Sequence, residues 1–164
     1  MKKQSILLVI SLVTFFGASA LTAQNYKSAI GARVGYPWAV SFKTFVAGNN
    51  AIELYGGYRG FARYGWFSAN GAYQVHFDLE GVDGLQWYVG AGAGLQFYRY
   101  DNDLLDAGDN LGVSIQGYVG LDYKVEDIPL SITLDWVPNI FFNGYVNGFR
   151  GLYGNLGVRY VFAE

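Results

Sequence analysis

Hydrophobic and polar positions alternate along most of this chain, and two stretches do so almost without a break. In residues 111–125, Leu111, Val113, Ile115, Val119, Leu121, Tyr123 and Val125 share one parity, and Gly112, Ser114, Gln116, Tyr118, Gly120, Asp122 and Lys124 the other. In residues 85–98, Leu85, Trp87, Val89, Ala91, Ala93, Leu95 and Phe97 stand in the same relation to Gln86, Tyr88, Gly90, Gly92, Gly94, Gln96 and Tyr98. Period two is the signature of a strand with one apolar face and one polar or small face. Both runs exceed the usual strand of about 5–6 residues. They reach the ~9–11 residues that a tilted strand needs to cross a bilayer, and so predict a membrane-spanning hairpin.

Six further segments carry the same alternation. Residues 28–36 set Ile30, Ala32, Val34 and Tyr36 against Gly31, Arg33 and Gly35, and residues 38–47 set Val40, Phe42, Thr44 and Val46 against Ser41, Lys43 and Phe45. Residues 51–60 and 66–77 follow, with Ile52, Leu54 and Tyr58, then Phe67, Ala69, Tyr73, Val75 and Phe77, on the apolar face. After the central hairpin come Leu130, Ile132, Leu134 and Trp136, then Leu156, Val158, Tyr160 and Phe162. Connections are expected at 48–50, 78–84, 101–110, 126–129 and 137–151. The fold class predicted is all-β: an eight-stranded, antiparallel, up-and-down transmembrane barrel.

Composition narrows the alternatives. Aromatics make up 18% of the residues, and the 23 glycines follow no collagen-like period. No apolar run approaches the ~20 residues of a spanning helix, and the other way to satisfy backbone groups in lipid is a closed barrel. Lys2 and Lys3, the apolar run 6–16 and the small residues Gly17, Ala18, Ser19 and Ala20 form an export leader. We therefore expect a signal peptide over 1–23, cleaved after Ala20 or Ala23, and a barrel over 24–164. The chain has 11 Lys and Arg against 13 Asp and Glu, so losing Lys2 and Lys3 takes the net charge from −2 to −4. That balance provides no basic stripe for nucleic acid. The absence of cysteine excludes a disulfide framework and an N-terminal lipid anchor on Cys.

With the N-terminus in the periplasm, the turns at 48–50, 78–84 and 126–129 are inner and short, while the two longest connections, 101–110 and 137–151, are outer. Tyr36, Trp38, Trp66, Phe97 and Trp136 then fall toward the outer rim, and Phe77, Trp87, Tyr123, Tyr160 and Phe162 toward the inner one. Aromatic girdles are expected at those two levels.

The leader, the eight alternating strands and the closing Leu156-Gly157-Val158-Arg159-Tyr160-Val161-Phe162 resemble the small outer-membrane β-barrels of Gram-negative bacteria, the OmpX-like, OmpA-barrel-like and opacity-type proteins. The resemblance spans the mature chain and implies outer-membrane localisation, contact with lipid and lipopolysaccharide, and passage through the barrel-assembly machinery. It makes Leu156, Val158, Tyr160 and Phe162 the expected assembly signal, although Ala163 and Glu164 follow where such barrels usually end on the aromatic.

The polar face must line the lumen, and it carries both signs: Arg33, Lys43, Arg59, Lys124 and Arg159 against Glu53, Asp122 and Asp135. Unpaired charges there are costly, so these residues are expected to form one interior ion-pair network. Eight strands leave a bore that side chains can fill, and a plugged barrel with a structural, surface-interaction or adhesion role is the preferred reading. A small ion-conducting pore is the alternative. A lipid-modifying acyl hydrolase or transferase built on His76, the only histidine, is a second one, but the residues supply no serine–histidine pair. No cofactor is expected, because the glycine run 90–94 lies inside a strand and not at a strand–helix junction. Asp101, Asp103, Asp106 and Asp109 could hold Ca²⁺, yet lack the glycine and closing glutamate of an EF-hand loop. We expect a solvated loop there, and no metal site. Ile140, Phe141, Phe142, Tyr145 and Phe149 form the candidate patch for an extracellular protein or surface ligand.

Overall fold

A computed structural model describes residues 26–61, 64–100, 111–142 and 147–163. The leader and the acidic loop 101–110 lie outside the described residues. Among the described residues ten strands follow one another: β1 (Ser28–Gly35), β2 (Trp38–Ala47), β3 (Asn50–Phe61), β4 (Tyr64–Asp78), β5 (Leu85–Tyr100), β6 (Leu111–Lys124), β7 (Leu130–Trp136), β8 (Asn139–Phe141), β9 (Gly148–Arg150) and β10 (Gly154–Ala163). Each wall strand pairs antiparallel with its neighbours, and β1 pairs with β10, from Ala29↔Val161 to Gly35↔Asn155. That last seam closes an eight-stranded barrel built from β1 to β7 and β10. Closure leaves no wall edge exposed to lipid.

The alternation sorts the residues as a membrane barrel requires. Ile30, Val40, Leu54, Ile115, Leu134 and Val158 are exposed on the outside, while Arg33, Lys43, Glu53, Asp122 and Arg159 are at most 1% exposed inside. An apolar outside around a polar inside matches lipid as the surrounding solvent. It is the reverse of a lipocalin.

Two connections differ from expectation. β3 and β4 pair out to Phe61↔Tyr64, so both strands run past the expected 51–60 and 66–77 and shorten the connection between them. The stretch 137–151 is largely a hairpin. Past Val137 and Pro138, β8 continues β7 along β6 in unchanged register, Val119↔Trp136 being followed by Gln116↔Asn139. β9 then returns beside β8 with Ile140↔Phe149. Pro138 has no N–H to give the ladder, but its carbonyl accepts from Gly117 at 2.9 Å, which carries the pairing across the break. The tight turn between β1 and β2 ends at the rim, so the β8–β9 hairpin stands above it.

An aromatic row crosses four strands at the outer level. Trp38 pairs with Tyr58, Tyr58 with Phe67, and Phe67 with Phe97, all four facing outward and about half-exposed. At the inner level, Phe77 stacks on Trp87 at 4.5 Å and Phe42 on Phe162 at 6.2 Å. From Phe67 to Phe77 is about ten residues, ~33 Å of strand. With a tilt of ~40° this gives ~25 Å, the height of the apolar band of such barrels. Two aromatics expected in the outer girdle lie elsewhere: Trp66 is buried and Tyr36 half-buried. Trp66 shares the parity of Ser68 and Asn70, so the pleat turns it into the lumen despite its type.

Candidate functional site

Among the described residues, buried polar side chains concentrate in the lumen. Glu53 on β3 sits between two guanidinium groups. Its Oε1 accepts from Arg33 Nη1 at 2.7 Å and from Arg159 Nη2, and its Oε2 accepts from Gln74 Nε2 at 2.8 Å. Arg33 Nη2 donates to both oxygens of Asp135, at 2.9 and 2.7 Å. Arg159 also donates to Ser41 Oγ at 2.8 Å and Thr133 Oγ1 at 2.9 Å. Toward the periplasm, Asp122 Oδ2 accepts from Lys43 Nζ at 2.8 Å and the Tyr26 hydroxyl at 2.7 Å, and Asp122 Oδ1 accepts from Ser131 Oγ.

The network thus joins three cations, Arg33, Lys43 and Arg159, to three carboxylates, Glu53, Asp122 and Asp135. A charge-balanced interior limits the desolvation penalty that each ion would carry alone. Two residues assigned to it from their parity are placed outside. Arg59 is exposed above the outer mouth, with its guanidinium 3.9 Å over the Tyr36 ring. Lys124 is half-buried at the inner turn, where Nζ donates to the carbonyls of Val125 and Ile128. Both stand at strand ends, beyond the height of the lumen.

Aromatic and amide side chains fill the remaining bore. Tyr55 and Tyr118 share a 2.7 Å hydroxyl contact, and Tyr88 donates to Asp135 at 2.7 Å under the Lys43 ammonium. Opposite these rings the wall is bare: a Cβ at Gly120 would come within 2.7 Å of the Tyr88 ring, and one at Gly92 within 3.1 Å of Tyr118. The glycines of the alternating pattern are therefore the space the tyrosines occupy.

Both mouths are closed. At the inner end, Tyr26 packs edge-on against Phe45 at 5.1 Å, with Ala29, Ala51 and Val161 completing the plug. His76 is fully buried between Phe45 and Tyr88, with centroids 4.8 Å from each, and its Nε2 is 3.7 Å from Asp122. Neither of its ring nitrogens has a hydrogen-bond partner among the described residues. At the outer end, Tyr153 packs on Tyr36 at 4.7 Å and on Phe141 at 6.2 Å, above a void of about 20 Å³ lined by Ser68, Asn70, Gln96 and Asn139. That is room for roughly one water.

Phe141, expected in the surface patch, is 5% exposed and points inward as part of this cap. Ile140, Phe142 and Phe149 are exposed, and Tyr145 lies outside the described residues. Leu152, absent from the sequence-based patch, is fully exposed beside them. Of the terminal segment, Leu156, Val158, Tyr160 and Phe162 all face outward. Tyr26 is the network member that sequence reasoning missed, since it precedes the first alternating run. Its removal has a definite expected result. Tyr26→Phe keeps the plug but leaves Asp122 one donor short, at a cost of about 1.5–3 kcal/mol for a hydrogen bond to a charged group. A thermal unfolding series of Tyr26→Phe against Tyr26→Ala checks this, with alanine the worse because it also opens the inner plug.

These features define a small transmembrane barrel with a closed ionic lumen. Two solved outer-membrane barrels share the fold. The chain superposes on the N-terminal β-barrel domain of Pseudomonas aeruginosa OprF with a TM-score of 0.61 at 20% identity, over 85% of this chain and 100% of that one. It superposes on Neisserial surface protein A (NspA) with a TM-score of 0.53 at 15% identity, over 82% and 93% respectively. No protein-family model and no curated protein sequence matches the chain.

Proposed function

We propose that this protein is an integral outer-membrane barrel that serves as a structural scaffold presenting an interaction surface outside the cell, and that it neither conducts nor catalyses. The observation that carries this reading is the lumen, a balanced set of buried ion pairs sealed by Tyr26 and Phe45 at one end and by Tyr36, Phe141 and Tyr153 at the other. An ion would have to displace those pairs in order to pass. His76, packed between two rings, has no route to a lipid substrate. Among the described residues, the raised β8–β9 hairpin and the segment after it expose Ile140, Phe142, Phe149 and Leu152, an apolar group suited to adhesive contact.

Folded protein in a planar bilayer should give no steady conductance, and its boiling-dependent gel shift should report the intact barrel. Persistent open-channel currents would overturn the plugged reading in favour of a pore. Cells displaying the protein should be retained on a hydrophobic polystyrene surface and lose most of that retention with Ile140→Ser/Phe149→Ser. Equal retention of the two would remove the adhesive role.

A further inference from the structure

The outer wall bears a feature that the plugged lumen does not use. Beneath the aromatic row, Val40 pairs with Gly56 and Gly56 with Ala69, so a stretch of the lipid-facing surface has almost no side chains. An open groove of about 510 Å³ results, bordered by Ala32, Trp38, Val40, Tyr58 and Phe67, with Gly56 in its floor. A Cβ at Gly56 would meet only the Ser68 carbonyl, at 3.8 Å, so the space above it is empty of protein.

Above the row the chemistry changes. Gly60 and Gly65 pair with each other, and Gly65 pairs with Arg99. The Tyr58 ring lies across both glycines, its hydroxyl 3.1 Å from where a Gly65 Cβ would stand. Arg99 has the outward parity of Phe97, is exposed, and makes no ion pair among the described residues. Going down this face, therefore, a guanidinium and a phenol hydroxyl stand at headgroup level, an aromatic rim follows, and an apolar slot lies within the hydrocarbon layer. Arg99 stands near the end of β5, beside the long connection 101–110 that the loop lengths assign to the outer side.

We infer that this face is a lipid-binding site for the phosphorylated glycolipid of the outer leaflet, with one acyl chain in the groove over Gly56 and a phosphate at Arg99 and the Tyr58 hydroxyl. The inference rests on the outer-membrane reading and its orientation. A guanidinium binds phosphate through paired N–H donors, which gives both strength and geometry. An acyl chain in a preformed slot loses less freedom than one lying against a smooth wall.

Native mass spectrometry of the folded full chain tests this, with rough-type lipopolysaccharide, its dephosphorylated form and phosphatidylglycerol as probes. Gly56→Leu should lower retention of lipopolysaccharide about tenfold, and Arg99→Gln should do so by a similar factor for the phosphorylated form only. Should Gly56→Leu lose the folded band, Val40→Phe fills the same groove from its rim. Unchanged retention in Arg99→Gln together with a groove-filling variant overturns the site. Equal retention of phosphatidylglycerol by the wild-type chain overturns the glycolipid assignment. The boiling-dependent shift of the same samples reports the barrel independently of lipid.

Discussion

Glu53→Ala is expected to destabilise the barrel by about 3–5 kcal/mol, the usual cost of breaking a buried ion pair by removing one partner. Glu53 is the carboxylate that Arg33 and Arg159 share. Without it, Asp135 still pairs with Arg33, but Arg159 keeps only the neutral acceptors Ser41 and Thr133. Glu53→Gln preserves the volume and one acceptor oxygen, so its effect should be smaller. The measurement is the urea midpoint of the fast-migrating folded band for wild type, Glu53→Gln and Glu53→Ala. A midpoint for Glu53→Ala within error of wild type would show that water or lipid headgroups reach the arginines, and the sealed-lumen description would fail.

The second large effect is expected at the closing seam. Gly31 lies opposite Arg159 where β1 meets β10. A Cβ there would come within 2.0 Å of the Val158 carbonyl oxygen and 2.5 Å of the Arg159 Cα, both backbone atoms. No rotamer change relieves a collision with backbone, so Gly31→Val should exceed the ~1–3 kcal/mol of ordinary overpacking and block closure. Gly56→Val is the control: it also places valine for glycine in a wall strand, but over open space. Pulse-labelled cells should show Gly31→Val as unfolded, protease-sensitive chain and Gly56→Val as folded barrel. Folding of both to the same extent would sink the steric account.

Much of this architecture was legible because one physical rule, alternation across a pleat, governs both the fold and its solvent. Arg33, Lys43, Glu53, Asp122, Asp135 and Arg159 could be assigned to the lumen from parity alone. Parity does not reveal height along the barrel axis, which is why Arg59 and Lys124 were grouped with residues whose level they do not share. Trp66 shows the opposite error: its parity pointed inward, and its aromatic character suggested the rim. The β8–β9 hairpin was hidden because Pro138, Ile140 and Phe142 alternate with Val137, Asn139 and Phe141, leaving both faces largely apolar. Nothing in the chain order pairs Tyr26 with Asp122, since 96 positions separate them.

That separation bears on how the barrel is made. Arg33 finds Asp135 across 102 positions, and Arg159 finds Glu53 across 106. A nascent sheet of the first few strands therefore exposes charges whose counter-ions have yet to arrive, and in hydrocarbon such a sheet would be penalised several-fold over. Half-inserted intermediates are disfavoured energetically, and barrel formation becomes all-or-none, conditional on β10 reaching β1. The ion pairs act as a proofreading lock: a chain truncated before Arg159 should give no stable partial barrel in a bilayer.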